Sequence, residues 1–517
     1  MHARPIHAPA TTEQLTPGSF LRRSATFFPD RIAVVDGDIR ITYRQWLARS
    51  RRLAGLLASL DVKPGDRVAV LAPNSRMLLD AHYGTAMAGA VLVALNTRLT
   101  APELQHIIEH SGATVLLYDT SLDQLAEQLA VEFSLDSETY EKRLIDAEEL
   151  EIPVADEYSM IALNYTSGTT GRPKGVMYHH RGAYLQAMAM AFHSKLDTDT
   201  AHLWVLPMFH CNGWAFTWAV TAAGGTHVCL PKVDAGRIWE LIDTEGITSF
   251  NAAPTVLIDL ASHPAAHSVD KLLRVGTGGA PPSPTLLAQL GNLGFDITHL
   301  YGLTETFGPS AICEFPSEYS SLGMEEQARF KARQGNCNIA GTPLRVLDEN
   351  GSDVPADGTT TGEIAVHGNT VALGYYLDAE ATRQSFGSGW FRTGDLGVQH
   401  PDNYIELRDR SKDVIISGGE NIASVEVEQV LERHADVLEC AVVAESHERW
   451  GEVPVAYASV VDGSRLTEQE LIAFARKILP GFKTPKRVIF GPLPKTGTGK
   501  IQKYILRNRL GHNPRPN

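Results

Sequence analysis

The chain has 517 residues, too many for one ordinary core, so about three folding units are expected at ~100–200 residues each. Its 46 Lys and Arg against 60 Asp and Glu leave a net charge of −14. That excludes a protein built to coat nucleic acid, yet leaves room for anionic small ligands in a locally basic pocket. With 43% apolar and 21% charged residues, the composition is globular and not disordered.

Residues 1–17 are polar, with Pro and His and no apolar h-region, so no secretory signal is expected. The β-rich runs 67–71, 91–95 and 114–118 suggest a first α/β unit. The longest apolar run, about 83–95, falls short of the ~18–20 residues a membrane helix needs, so no transmembrane segment is expected. An apolar strand over 160–163 leads into a segment rich in Gly, Thr and Ser. Between about 202 and 302 strands alternate with helices. The spacing predicts strands at 203–206, 226–230, 248–251, 272–276 and 297–301, and helices at 234–245, 254–261 and 283–293. Asp234 is a candidate cap and Gly246 a candidate stop for the first of these helices. Such alternation means a largely parallel sheet with helices on its faces. After about 340, Gly and Asp become frequent and β-like pieces such as 362–366 dominate. The tail reads as α+β: helix 425–434, strands 440–444 and 455–461, helix 467–479, strand 487–490.

The fold class expected is therefore α/β. A large N-terminal part, 1–409, carries doubly wound, mostly parallel sheets plus a β-rich subdomain, and a small α+β part spans 410–517. Five cysteines (Cys211, Cys229, Cys313, Cys337, Cys440) are odd in number and widely spaced, with no Cys-x-x-Cys. A reducing, cytoplasmic compartment is the simplest reading, without structural zinc.

Six segments carry chemistry. The first is Tyr165-Thr166-Ser167-Gly168-Thr169-Thr170-Gly171-Arg172-Pro173-Lys174-Gly175. Its glycines let backbone N–H groups converge, its hydroxyls add donors and Lys174 adds charge, a combination suited to phosphate oxygens. It is not a Walker A loop, because Pro173 stands where that pattern needs Gly followed by Lys. A surface hairpin is the bland alternative. The second pairs Gly276-Thr277-Gly278-Gly279-Ala280-Pro281 with Tyr301-Gly302-Leu303-Thr304-Glu305, each following a predicted strand. The carboxyl ends of parallel strands are where such sheets bind ligands. Tyr301 can stack on a base, and Glu305 can hold Mg²⁺ beside phosphate oxygens. The third is Phe209-His210-Cys211-Asn212-Gly213-Trp214. Taken alone, His210 is more often a packed histidine than a catalytic one, and Trp214 and Trp218 at i, i+4 more often core. The fourth, Trp390–Asp395, ends in a carboxylate suited to two vicinal hydroxyls. The fifth joins Asp409-Arg410-Ser411-Lys412-Asp413 to Ser417-Gly418-Gly419. The last is Pro494–Lys500, a glycine-flanked lysine near the carboxyl end.

In this order the segments resemble the adenylate-forming enzymes: acyl-CoA synthetases, luciferases and peptide-synthetase adenylation domains. The match runs from about Phe20 to Arg507. The 389–428 stretch and the Lys331–Gly335 run are most similar to acyl-CoA ligases of the medium-chain fatty-acid, methylmercaptopropionate and plant acyl-activating kind. The resemblance implies ATP-dependent activation of a carboxylic acid, medium-chain fatty or related, to acyl-AMP, then transfer to coenzyme A. It implies ATP, Mg²⁺ and coenzyme A as co-substrates and cofactor, and the following roles. Thr166, Ser167, Gly168, Thr169, Thr170 and Lys174 grip the β- and γ-phosphates. Thr304 touches the α-phosphate, and Glu305 with Thr166 serves the metal. Gly279, Ala280 and Tyr301 line the adenine, Gly278, Pro281 and Gly302 also belong to the ATP site, and Asp395 takes the ribose hydroxyls with Arg410 assisting. Phe209, Asn212, Gly213 and Trp214 line the acyl pocket, with His210 as a gate. Lys412 is the hinge about which the small domain swings, Ser417, Gly418 and Gly419 face the thiol tunnel, and Lys500 bridges carboxylate and α-phosphate. A homodimer is compatible with the family. Alternatives are transfer to a carrier protein, although no carrier domain follows Lys500, and a non-catalytic nucleotide-binding protein. Luciferase-like oxidation is disfavoured on this branch.

Overall fold

Helix signals in the sequence are met by the side chains that supply them. Asp234 accepts from the Arg237 backbone N at 2.8 Å and opens Ala235–Thr244, after which Gly246 turns the chain at φ +60°. Thr467 and Glu470 form a reciprocal capping box at the head of Glu468–Arg476. The computed structural model describes residues 12–166, 173–278, 284–410, 413–417, 420–461, 463–495 and 501–510.

The chain separates into two compact units. The first comprises Met1–Thr200, Met208–Pro231 and Asn369–Ala379. Its six-stranded sheet runs Phe133–Asp136, Val115–Tyr118, Arg67–Leu71, Val91–Ala94, Met160–Thr166, Lys174–His179. Four successive pairings are parallel and the last is antiparallel. Strands buried on both faces, such as Arg67–Leu71 and Val91–Ala94, read as near-continuous apolar runs, as a helix-covered parallel sheet requires.

The second unit comprises Ala201–Pro207, Lys232–Gly368 and Glu380–Asn517. Ala201–Trp204, Ser249–Ala252, Leu273–Gly278 and Phe295–Leu303 pair in parallel, and Gly308–Ile312 and Asn336–Cys337 extend the sheet antiparallel. A four-stranded antiparallel sheet follows: Arg345–Leu347, Gly362–Val366, Phe391–Gln399, Ile405–Arg410. From Ile415 onward a further sheet packs helices Ser424–Leu431 and Glu468–Arg476 around Ile415, Val427, Leu431, Val442 and Leu471. The α/β class expected from the alternation is thus present.

One expected strand is displaced. The run 203–206 is strand only from Ala201 to Trp204. Pro207 biases the residue before it and donates no ladder N–H, so pairing stops early.

Two ties bring the antiparallel sheet beside the parallel one. His299, in the Phe295–Leu303 strand, uses Nδ1 to hold the carbonyls of Ala332 and Arg333 at 3.1 and 2.9 Å. Gly335 pairs with Ile405, and its φ of +91° and the Ile312 carbonyl 2.1 Å from where a Cβ would lie make glycine obligatory.

His299 belongs to a set of buried imidazoles. Burial pushes His82, His180 and His299 down to about 4, and His202 to about 3. They stay neutral in the fold, whereas the unfolded chain takes up protons below about 6.5. Stability is therefore fully present above pH ~6.5 and is lost as pH falls toward ~4, at up to about 3 kcal/mol per histidine. Burial also raises Glu432 to about 8, Asp409 to about 6, and Asp80 and Asp259, which opposes this, whereas the hydrogen-bonded Glu141, Glu151, Glu157 and Glu406, held below the usual carboxylate range, act with the histidines. Melting temperature is expected to fall steeply between pH 6.5 and 4.5. A flat profile would show that these imidazoles are protonated in the fold.

Candidate active site

In the first unit, the strand Met160–Thr166 and its antiparallel neighbour Lys174–His179 place Thr166 directly opposite Lys174. These two residues are the feet of the Gly/Thr/Ser segment. Ser167, Gly168, Thr169 and Thr170 lie outside the described residues. The Lys174 ammonium sits 4.7 Å from the centroid of the Tyr375 ring, a cation–π contact that keeps it at the foot of the segment.

Two residues before Thr166, Asn164 reaches the other candidate loop of this unit. Its Nδ2 donates to Asn212 Oδ1 at 2.8 Å. Asn212 lies in an unusual turn: Cys211, Asn212, Gly213, Trp214 and Ala215 all have φ between +50° and +64°. Left-handed backbone costs a non-glycine residue about 1–2 kcal/mol, and four of these five carry side chains. Burial of Cys211, Asn212, Trp214 and Phe216 holds the turn in place. Such retained strain clusters at functional sites. His210 stands at the head of the turn, and Phe209 and Trp214 are buried on either side. Upstream, the Met208 backbone N donates to Asn74 Oδ1 at 2.8 Å, which pins the approach. Trp218 goes to the core, against His82 with ring centroids 5.8 Å apart.

In the second unit, Leu273–Gly278 and Phe295–Leu303 are neighbours in register Gly278↔Leu300, so their carboxyl ends share one edge of the sheet. Gly279, Ala280 and Pro281 lie outside the described residues. At this edge the buried Tyr301 hydroxyl donates to Asp395 Oδ2 at 2.8 Å. Asp395 is itself oriented by its backbone N donating to Thr393 Oγ1 at 3.1 Å and by pairing of its strand with Arg410. The Arg410 side chain is outside the described set. Gly302 must be glycine, because the Gly308 carbonyl oxygen lies 1.9 Å from where its Cβ would be. That close approach turns the chain into the short helix Thr304–Thr306, with Thr306 Oγ1 donating to the Gly308 carbonyl at 2.7 Å. Glu305 is thereby held at 9% exposure.

Ser417 is buried at the end of Ile415–Ser417, opposite Glu420. Lys412, Gly418, Gly419 and Lys500 lie outside the described residues.

Sequence reasoning missed several polar groups near strand ends. Asn164 Oδ1, Asn212 Nδ2, Asn251 Nδ2 and Thr277 Oγ1 are buried with no hydrogen-bond partner among the described residues. Asn251 Oδ1 lies 2.2 Å from where a Gly276 Cβ would be, which explains that glycine. Asn164, Asn251 and Thr277 sit near the carboxyl ends of parallel-sheet strands, where a polar ligand would satisfy them. The available signal was one polar residue within or closing each strand run: Asn164 after Ile161–Leu163, Asn251 after Phe250.

These groups fit a nucleotide and a hard divalent cation. In the second unit the carboxylate of Glu305 and the hydroxyl of Thr304 are oxygen donors of the kind Mg²⁺ takes beside phosphate, and in the first unit the hydroxyl of Thr166 is a donor of the same kind. Among the described residues no group of three His, Cys, Asp or Glu could hold a metal ion.

Comparison with known proteins identifies the family. The model of the AMP-binding enzyme family matches residues 21–376, and that of the AMP-binding enzyme C-terminal domain matches 426–500. The chain is 42% identical to the acetate/butyrate–CoA ligase AAE7, peroxisomal, of Arabidopsis thaliana, over 97% of this chain and 95% of the relative. It is also 42% identical to 4-hydroxybutyrate–CoA ligase 2 of Metallosphaera sedula, over 96% and 94%. Among solved structures, ATP-bound MatB from Rhodopseudomonas palustris superposes with TM-score 0.85 at 26% identity, covering 95% of this chain and 98% of that one. The o-succinylbenzoate coenzyme A synthetase of Bacillus subtilis, in complex with ATP and magnesium ion, gives TM-score 0.82 at 28% identity, covering 95% and 99%.

Proposed function

The chain belongs to the AMP-binding enzyme family, and from that premise we propose an AMP-forming acid–CoA ligase whose acid is a short-chain one of two to four carbons, shorter than the medium-chain acid the sequence resemblance suggested. ATP, a carboxylic acid and coenzyme A are its substrates and Mg²⁺ its cofactor. The observation that carries the choice of acid is the 42% identity over nearly the whole length to ligases named for acetate, butyrate and 4-hydroxybutyrate.

The reaction sets an anion to attack an anion. A carboxylate oxygen attacks the α-phosphorus of ATP, the bond to the bridging oxygen breaks, and pyrophosphate leaves with that electron pair. The thiol of coenzyme A, losing its proton, then attacks the acyl carbon and AMP leaves. Residues must therefore neutralise charge and fix an in-line approach. In our reading the segment from Thr166 to Lys174 holds the β- and γ-phosphates, and Thr304 holds the α-phosphate. Tyr301 lies along the adenine and orients Asp395, whose carboxylate takes the ribose hydroxyls. Magnesium held by Glu305 would offset the charge that develops on the leaving pyrophosphate. Lys500 draws the two anions together. Phe209, Asn212, Gly213 and Trp214 form the acid pocket with His210 at its mouth. We take 1–409 and 410–517 as the bodies that alternate about Lys412 between the two steps.

Among the described residues no helix is long and apolar enough to cross a membrane, and none of the five cysteines forms a disulfide. The reduced cysteines support our reading of a cytoplasmic enzyme, while the relative AAE7 is named peroxisomal.

Mass spectrometry of reactions with ATP, Mg²⁺, coenzyme A and a panel of acids tests the reading. Acyl-CoA, AMP and pyrophosphate are expected, fastest with two- to four-carbon acids. Acyl-AMP without acyl-CoA from every acid would point to a carrier-protein acceptor, and ADP as product would overturn the family chemistry.

A further inference from the structure

The charged residues that flank 410–412 have no part in the chemistry above. Asp409 is 2% exposed on the strand Ile405–Arg410. Its carboxylate accepts from the backbone N of Ser424, and from Ser424 Oγ at 3.0 Å. Ser424 opens the helix Ser424–Leu431, whose N-cap residue is Ala423, a side chain without an acceptor. An acid fifteen residues upstream thus performs the capping, where the helix dipole favours negative charge. Ser424 Oγ in turn accepts from Lys503 Nζ at 2.5 Å. The same ammonium lies 2.6 Å from Glu428 Oε1, an oxygen already held by the Val442 backbone N at 2.7 Å.

Lys503 is the first residue of Lys503–Arg509, three positions beyond Lys500. Its side chain is only 15% exposed. Burial opposes its charge, but Glu428, Asp409 and Asp413 outweigh burial and hold the ammonium above its ordinary range. One turn later Arg507 pairs with Asp413, the residue on the far side of 411–412. Both chain ends that leave the 410–412 segment are therefore bonded, directly or through Ser424, to the helix that follows Lys500.

We propose that Asp409, Ser424 and Lys503 form a latch that positions the Lys500 segment relative to the hinge, so that Lys503 and Asp409 are positioning residues for the adenylation step. The proposal rests on the reading of Lys500 and Lys412 given above. None of the three latch residues belongs to the nucleotide or acid contacts assigned there, so loosening the latch should leave binding intact while misplacing the tail.

The test uses full-length protein with butyrate, ATP and labelled pyrophosphate for the first half-reaction, and supplied butyryl adenylate with coenzyme A for the second. Lys503→Met is expected to lower kcat for exchange ~10-fold or more while KM for ATP and butyrate stays within ~2-fold. Thioester formation from the supplied adenylate should fall less than ~3-fold, and Lys503→Arg should restore most of the exchange rate. Asp409→Asn, which keeps an acceptor for the Ser424 N–H but drops the charge, should act in the same direction more weakly. Equal losses in both half-reactions that track a lower melting temperature, or a wild-type ratio of the two in Lys503→Met, would overturn the latch. Lys500→Ala runs as control: if it exchanges like wild type, the reading of Lys500 fails and takes the latch with it, whereas collapse of exchange in Lys500→Ala with unchanged Lys503 variants sinks the latch alone.

Discussion

Lys500→Ala is expected to reduce acid-dependent ATP–pyrophosphate exchange by ~10²–10³-fold, about 3–4 kcal/mol of transition-state stabilisation, while ATP affinity changes less than ~3-fold. The asymmetry follows from where the ammonium acts. On the proposed reading, ATP binding would rest on the phosphate segment, on Tyr301 and on Asp395, residues other than the one substituted. In the proposed role the lysine's contribution would peak only when carboxylate and α-phosphate are forced together, because their repulsion is largest there. Isothermal titration with ATP beside the exchange assay separates the two effects. A parallel loss of ATP affinity would make Lys500 an ordinary binding residue, and unchanged exchange would remove it from the reaction.

Glu305→Gln should have the second-largest effect. The substitution preserves volume and one carbonyl oxygen, so the turn fixed by Thr306 and the Gly302–Gly308 approach is expected to survive. What goes is the charge in a nearly buried position. Exchange is expected to fall ~100-fold at low Mg²⁺ and to recover in part as Mg²⁺ is raised, because a weaker ligand can be offset by mass action. A rate lower by a constant factor at all Mg²⁺ concentrations would mean that Glu305 shapes the site without serving the ion.

How much of this was legible in the sequence differs from element to element. The helix opened by Asp234 was readable because Ile238, Leu241 and Ile242 repeat on one face, and all three are buried. The end of the strand at Trp204 was misread, since Val205 and Leu206 look like strand residues and only the following proline interrupts them. The left-handed turn 211–215 was invisible: one glycine among five residues gives no hint of five positive φ angles, which tertiary burial imposes. Tyr301 and Asp395 were each picked out from their own segments, yet their bond spans 94 positions and has no local signature. The same holds for Asp409. A cap is sought in the residue just before a helix, and here Ala423 occupies that place while the acceptor comes from another sheet. Motif composition thus pointed to candidate residues, whereas the contacts that orient them emerged only from the fold.

The two-step account is tested most directly by a single experiment in two stages. Enzyme, Mg²⁺, labelled ATP and butyrate are mixed without coenzyme A, and enzyme-bound adenylate is measured after quenching. Coenzyme A is then added and acyl-CoA followed on the scale of one turnover. Up to one equivalent of butyryl-AMP, formed before any thiol is present and consumed into butyryl-CoA on its addition, is the predicted result. Butyryl-CoA appearing with no prior adenylate, or adenylate that persists when coenzyme A arrives, would contradict it.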